Sequence, residues 1–215
     1  MPERMILAFD TSAAHCAAAV LLGNRVLGLV HEDMAKGQAE RLLPMLKALL
    51  HDCGAGWHDL SALAVGIGPG NFTGVRIAVS AARGLALSLN IPAHGIGGLE
   101  ALAHGQKRPT LACIDARQGR VYLQRFATTD DAPILAELAA LPADLAMPGL
   151  QVLGHGAAEI AASLHAGLAA PIQPITVAMA LIASTRPTPA ARPAPLYLRP
   201  ADAAPSRDLP PVILP

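Results

Sequence analysis

A chain of 215 residues with a formal net charge of zero and only 15% charged side chains is long enough for one domain or two small lobes whose core needs no disulfides. It has no basic excess with which to grip nucleic acid by itself, and at 3% aromatics it offers no base-stacking platform. Cys16, Cys53 and Cys113 lie far apart, without metal or redox spacing, and read as small buried apolar side chains in a reducing compartment. Met1-Pro2-Glu3-Arg4 runs into a short apolar segment stopped by Asp10, which is not the pattern of a signal peptide. No uninterrupted apolar stretch is long enough to span a membrane, so the expectation is a soluble, cytoplasmic protein.

Met5 to Phe9 reads as an apolar strand ending at Asp10-Thr11-Ser12. Strands follow at Cys16 to Leu22 and Arg25 to His31, joined by the hairpin signal Gly23-Asn24. Asp10 at a strand end, with Thr11 and Ser12 behind it, suits either a metal–phosphate group or a turn closed by its own side-chain hydrogen bonds. Gln38 to Cys53 is an amphipathic helix with Leu42, Leu43, Leu46, Leu49 and Leu50 at helical spacing and Gly54 as its stop. Pro44 predicts a later start or a bend, and Gln38, Arg41 and Lys47 read as solvated.

Leu63 to Ile67 is a fully apolar, buried kind of strand. It ends in Gly68-Pro69-Gly70-Asn71-Phe72-Thr73-Gly74, which opens into a helix reaching Leu89. Asn71 or Thr73 is the natural cap. No Gly-Lys-Ser/Thr follows, so this is not a Walker-type phosphate loop. Gly74, Ala78, Ala82 and Ala86 form a small-residue ridge on one face, suited to a tight seam with a partner helix or to packing on a sheet. Arg76, Ser80, Arg83 and Leu87 trace another face, either a partner or anion contact or an ordinary solvated stripe.

Ala93 to Ile96 is a short strand and Gly98 to His104 a short helix. Gly105-Gln106-Lys107-Arg108-Pro109 is the best domain boundary. Beyond it, Thr110 to Ile114 is a strand ending in Asp115, Ala116 to Gly119 a turn, and Arg120 to Phe126 an alternating strand. This strand–Asp–loop–strand order echoes the one at Asp10. A short helix is expected near Leu135 to Leu141, strand then glycine turn then helix from Val152 to His165, and a last helix from Pro174 to Ser184. The Gly154-His155-Gly156 turn is either plain or an approach to a nucleotide base. From Arg186 onward the chain is proline-rich and extended, with Leu196 to Arg199 as its point of attachment. Of the eight histidines none is four residues from another, and His31-Glu32 has Ala35 where a zinc-protease helix needs its second ligand.

Several stretches together resemble the TsaB (YeaZ) family of bacterial tRNA threonylcarbamoyladenosine biosynthesis proteins. They are Phe9-Asp10-Thr11-Ser12, Gln38-Ala39-Glu40-Arg41-Leu42-Leu43-Pro44, Gly66 to Ile77 around Gly-Pro-Gly-Asn-Phe-Thr-Gly-Val-Arg, and Asp115-Ala116-Arg117-Gln118-Gly119-Arg120-Val121-Tyr122. The likeness covers roughly residues 5–126, with Tyr197-Leu198-Arg199 near the end. It implies an α/β, two-lobed actin-like ATPase fold of the acetate and sugar kinase superfamily, with mixed sheets flanked by helices. The lobes would be 1–104 and a shortened 105–195, followed by a tail at 196–215. It also implies a non-catalytic partner of the catalytic subunit TsaD, working with TsaE, with tRNA reached only through the complex and a homodimer formed when the chain is alone. Helices 38–53 and 74–89 would form the docking surface, with Glu40, Leu43, Leu46, Ala78, Ala82 and Ala86 in it. The resemblance assigns no catalytic residue, metal or cofactor to the chain itself. Arg76 at the glycine loop and Arg117 in the second lobe's turn, whose planar forks suit a phosphate, are expected to bind ATP or ADP at the joint with TsaD, and Asp10 and Thr11 to be a vestigial phosphate loop. The His-x-x-x-His motif of TsaD has no counterpart at Gln38 to Leu42. The alternative is an independent ATP-dependent phosphotransferase of the same fold, using Asp10.

Overall fold

Short apolar runs broken by turns become the strands of two sheets. The structure, a computed structural model, describes residues 3–198. β1 (Met5–Asp10), β2 (His15–Leu22) and β3 (Arg25–Asp33) form an antiparallel meander, with Gly23 at φ 59 in the tight turn between the last two. Helix α1 (Gln38–Asp52), β4 (Ala62–Gly66), helix α2 (Phe72–Leu89) and β5 (Ala93–Ile96) follow. β4 runs parallel to β1 and β5 parallel to β4, which gives the order β3-β2-β1-β4-β5.

Helix α3 (Gly98–Ala103) leads into β6 (Thr110–Asp115), β7 (Arg120–Phe126), β8 (Ile134–Glu137), β9 (Gln151–Gly154), α4 (Ala157–Ser163), β10 (Gly167–Leu168) and α5 (Ile175–Thr185). The second sheet has the order β10-β9-β6-β7-β8. Read from β8, it repeats the first sheet strand for strand, including which pairs are antiparallel and which parallel. The echo between Asp10 and Asp115 is therefore a repeat of topology. The second copy is shorter: α4 has 7 residues where α2 has 18, and a single 3-10 turn, Ala143–Leu145, stands where α1 would be.

Each sheet is covered on both faces, so its central strands are apolar on both. On one face of the first sheet, Leu7, Phe9, Leu63 and Val65 pack with Leu42, Leu46 and Leu50 of α1 and Val75, Ala78, Val79 and Ala82 of α2. The other face is alanine-rich, with Ala8, Ala19, Ala62 and Ala64 meeting Ala178, Ala180 and Ala183 of α5. Small residues on both partners let this helix lie close to the sheet. The two lobes also exchange covers. α5, from the end of the second lobe, packs on the first sheet, while α3 places Leu99 against Ala112, Tyr122, Phe126 and Leu153 of the second. An ion pair from Arg186 to Glu100 ties the end of α5 to α3.

Four expectations change. The helix near Leu135 to Leu141 is β8 instead, pairing antiparallel with β7 through Tyr122↔Leu135. Pro133 and Pro142 bracket a stretch too short for a stable isolated helix, and the open edge of β7 satisfies its backbone. α1 starts at Gln38 despite Pro44, which sits exposed inside it. Gln38 is buried with its amide donating to Met34 O at 3.0 Å, and Arg41 pairs with Glu32 at 2.7 and 2.5 Å, so neither is merely solvated. α2 has the length and apolar composition to cross a membrane, 18 residues at mean hydropathy 1.2, although it carries Arg76 and Arg83 and lays one face on β4. The attachment expected at Leu196 to Arg199 and the tail 196–215 lie within the described residues only as far as Leu198.

The small-residue ridge of α2 points inward. Gly74, Ala78 and Ala82 are buried in the chain's own core, Ala78 and Ala82 fully, while Ala86 is half-buried. Leu46 is likewise fully buried. Ala78, Ala82 and Leu46 thus lie beneath any surface a partner reaches, because α2 needs small residues to sit on β4. Ala82→Leu is expected to cost about 1–3 kcal/mol of stability by overpacking, measured by denaturant unfolding. Unchanged stability with weakened partner binding would return the ridge to a surface role.

Candidate functional site

The glycine-rich loop after β4 has an occupant, and it is the chain's own β1–β2 loop. Asn71 N donates to Ser12 O at 2.6 Å, and Thr11 Oγ1 donates to Gly74 O at 2.6 Å. A Cβ at Gly70 would collide with the Ser12 carbonyl, and one at Gly74 with the Thr11 carbonyl. These glycines are needed because two backbones meet there without room for a side chain. Asn71 caps α2, its Oδ1 accepting from Gly74 N at 3.0 Å. The Gly68–Pro69 peptide in the turn is cis.

Asp10 and Thr11 are fully buried by this seating. Asp10 Oδ2 accepts from Ser12 N at 3.2 Å and Ser12 Oγ at 2.9 Å, and lies 2.7 Å from His15 Nε2. Its Oδ1 is buried directly beneath Gly66, with no hydrogen-bond partner among the described residues. The pair expected as a vestigial phosphate loop therefore faces inward, because the loop that carries it fills the glycine cradle.

The two arginines on α2 are likewise engaged by the chain itself. Arg76 Nε donates to the Tyr197 hydroxyl at 2.8 Å across 121 residues of sequence, and its guanidinium lies 3.9 Å above the Phe72 ring. Phe72 and Tyr197 stack at 4.8 Å. Arg83 Nε donates to Pro193 O at 2.7 Å, and Leu196 N to Ile67 O at 2.8 Å. Arg76 and Arg83 are thus more than a solvated stripe: through Nε both hold the 193–197 segment on α2. The tail's attachment was readable from its sequence, but Phe72 was not singled out. With so few aromatics in the chain, a ring placed inside a glycine loop was the available signal.

Between α1 and α2, on the face turned from the sheet, a groove of about 500 Å³ is lined by Ala39, Leu42, Leu43, Phe72, Thr73, Arg76, Ile77, Ser80 and Ala81. Leu43 is 47% exposed there, and Glu40 is exposed on the same helix. Arg117 lies elsewhere, lining a cleft of about 200 Å³ with Asn71, Phe72, Asp115 and Tyr122. Its backbone is left-handed at φ 61, and its amide donates to Asp115 Oδ1 at 2.8 Å. Phe72 borders both spaces, while Arg76 belongs to the groove and Arg117 to the cleft. A larger cavity of about 590 Å³ runs along α3 past the Arg186–Glu100 and Arg108–Asp130 ion pairs.

At the Gly154-His155-Gly156 turn, His155 N donates to Cys113 O at 2.9 Å, and a Cβ on Gly154 would strike that same carbonyl. It is a tight turn packed on β6. Burial pushes the Cys113 thiol up to about 12 and, with Glu32 adding to it, the Cys16 thiol up to about 11, so both remain protonated and unreactive. Burial, reinforced by Arg4 and Arg186, lowers the pKa of His94. Among the described residues no three of His, Cys, Asp and Glu are grouped to hold a metal ion.

Comparison with known proteins adds a family to this geometry. A model of the TsaD family, tRNA N6-adenosine threonylcarbamoyltransferase, matches residues 20–151. The tRNA threonylcarbamoyladenosine biosynthesis protein TsaB of Escherichia coli K12 is 40% identical over 126 residues, covering 56% of this chain and 54% of that protein. The match thus spans about half the length of such curated relatives. Two solved structures align more fully. That of a protein with similarity to peptidase YeaZ from Pseudomonas aeruginosa has 30% identity and a TM-score of 0.72, covering 91% of this chain and 100% of the other. YeaZ from Pseudomonas aeruginosa has 30% identity and a TM-score of 0.67, covering 84% of this chain and 91% of the other.

The seating of one loop on the other sets a pair of opposite expectations within one helix. Gly74→Ala should destabilise the fold by about 3 kcal/mol, at the upper end of overpacking, because the obstacle is a backbone carbonyl. Gly84→Ala, in the same helix but with nothing near its added methyl, should stabilise by about 0.5–1 kcal/mol. Thermal and denaturant melts of both variants read the difference, and equal effects would contradict the seating.

Proposed function

Because the chain belongs to the TsaB (YeaZ) family of tRNA threonylcarbamoyladenosine biosynthesis proteins, we propose that it serves that pathway as a non-catalytic subunit. It binds and activates TsaD, so that the threonylcarbamoyl group reaches the adenosine beside the anticodon. One observation carries this reading. The elements that would cradle a phosphate in this fold are spent on each other, whereas the outer faces of α1 and α2 leave an apolar groove open around Leu43. An independent phosphotransferase would need Asp10 at a substrate. Here its carboxylate lies under Gly66 and is held by Ser12 and His15, and exposing it would mean parting β1 from the glycine loop.

The docking face is the α1–α2 groove, with Leu43 in its lining and Glu40 exposed on the same helix. The same face pairs two copies when TsaD is absent. TsaE joins through the complex, tRNA is reached only through it, and the work takes place in the cytoplasm. ATP or ADP bound at the joint with TsaD sits beside Arg117, whose cleft opens next to Phe72. Arginine's planar fork suits a phosphate there.

Leu43→Asp, at an exposed position that leaves the core untouched, should weaken binding to the TsaD of the same organism by about tenfold or more. It should also abolish this chain's stimulation of threonylcarbamoyl transfer to tRNA. Co-purification and the transfer assay, with and without the chain, measure both. Failure of the wild-type chain to bind TsaD, or equal transfer in its absence, would refute the proposal.

A further inference from the structure

Arg76 is the arginine of the groove lining, and it is held in place without a described carboxylate partner, as Arg83 is. Arg41, Arg108, Arg125 and Arg186 each pair with a carboxylate, and no described carboxylate pairs with Arg76. It is nevertheless fixed in place. Its Nε is taken by the Tyr197 hydroxyl at 2.8 Å, its plane rests on Phe72 at 3.9 Å, and Phe72 is itself stacked on Tyr197. A guanidinium has five N–H donors, and using Nε on Tyr197 leaves those of the two Nη groups for another acceptor. The side chain is exposed, and it lines the groove beside Leu42, Leu43, Ile77 and Ala81. An arginine immobilised by its own chain has already lost much of the rotamer freedom that binding would otherwise cost.

We infer that Arg76 is the charged anchor of the docking groove, presenting its Nη fork to a carboxylate of the partner protein, and that Tyr197 is its positioning residue. This rests on the docking reading given above and adds the chemistry of the contact. A single cation at the rim of an apolar groove suits one acidic side chain flanked by apolar ones, since planar bidentate pairing with a carboxylate gives direction as well as attraction. A nucleic-acid backbone would call for several cations along one track, and among the described residues the groove lining has only this one. The C-terminal segment thereby enters the docking face: the residue that aims the anchor comes from the far end of the chain, held on α2 by Arg83 as well.

The test is affinity for the TsaD of the same organism, by calorimetry at low and raised salt, without tRNA or nucleotide. Arg76→Ala should weaken binding by about tenfold to a hundredfold and flatten its salt dependence. Arg76→Lys should recover only part of the loss, because a point charge lacks the fork. Tyr197→Phe keeps the stacked ring and removes the hydroxyl, and should weaken binding by about threefold, the cost of freeing one side chain. On the Tyr197→Phe background, Arg76→Ala should still weaken binding further. If Arg76 served only to hold the C-terminal segment through the Tyr197 hydroxyl, that last step would change nothing. That result, or an Arg76→Ala chain that binds like wild type, overturns the inference while leaving the docking reading in place. An arginine effect seen only when tRNA or nucleotide is added overturns it as well. A wild-type chain that does not bind TsaD removes both.

Discussion

The structure depends on one close contact, the seating of the Thr11 and Ser12 carbonyls in the space left by the missing side chains of Gly74 and Gly70. Two hydrogen bonds of 2.6 Å close it, one in each direction between the β1–β2 loop and the start of α2. It fixes α2 against β1 and β4. It sends the small-residue ridge of that helix into the sheet and turns Phe72 and Arg76 to the outside. It also buries Asp10, whose Oδ1 remains without a partner among the described residues. A buried carboxylate with an unpaired oxygen is costly, and surroundings that tolerate it must hold it firmly. Here Ser12 supplies two donors and His15 a third contact.

From this contact the rest of the site follows. A glycine loop at a helix start would ordinarily offer free amides and open space to an anion. In this chain the space is taken, so the chemical possibilities shift to what the loop displays outward. Those are the Phe72 ring, the Arg76 guanidinium above it and the groove between α1 and α2. The exchange of covering helices between the lobes, α5 onto the first sheet and α3 onto the second, fits the same picture. Each lobe is closed by an element from the other's end of the chain, and among the described residues the groove between α1 and α2 stays open.

Much of the fold was legible in the sequence because its signals are local. The strands ending in Asp10 and Asp115, the Gly23-Asn24 turn, the Asn71 cap and both long helices follow from spacing and turn chemistry alone. The direction of the Gly74-Ala78-Ala82 ridge was not legible, since small residues at four-residue spacing read the same whether they meet a sheet or a partner helix. β8 was misread because its pairing partner, not its own propensity, decides its form. The hold of α2's arginines on the C-terminal segment was not legible for a related reason. What Arg76 and Arg83 touch comes from residues 193–197, more than a hundred positions away, and no local pattern records it. Helical period grouped Leu43 with Leu42 and Leu46 and the resemblance put Glu40, Leu43 and Leu46 in the docking surface, but Glu40 and Leu43 are exposed whereas Leu46, three positions beyond Leu43, falls on the core side of the same helix.

The most direct measurement of the central contact is an amide correlation spectrum of the isotope-labelled chain, titrated with magnesium-ATP. With the cradle filled by the chain's own loop, the amides of Thr11, Ser12, Gly68 and Gly74, which lie outside the Arg117 cleft, should stay where they are at saturating nucleotide. Saturable shifts concentrated on those amides would mean that the loop yields its place to a phosphate, and would contradict the seating on which the rest depends.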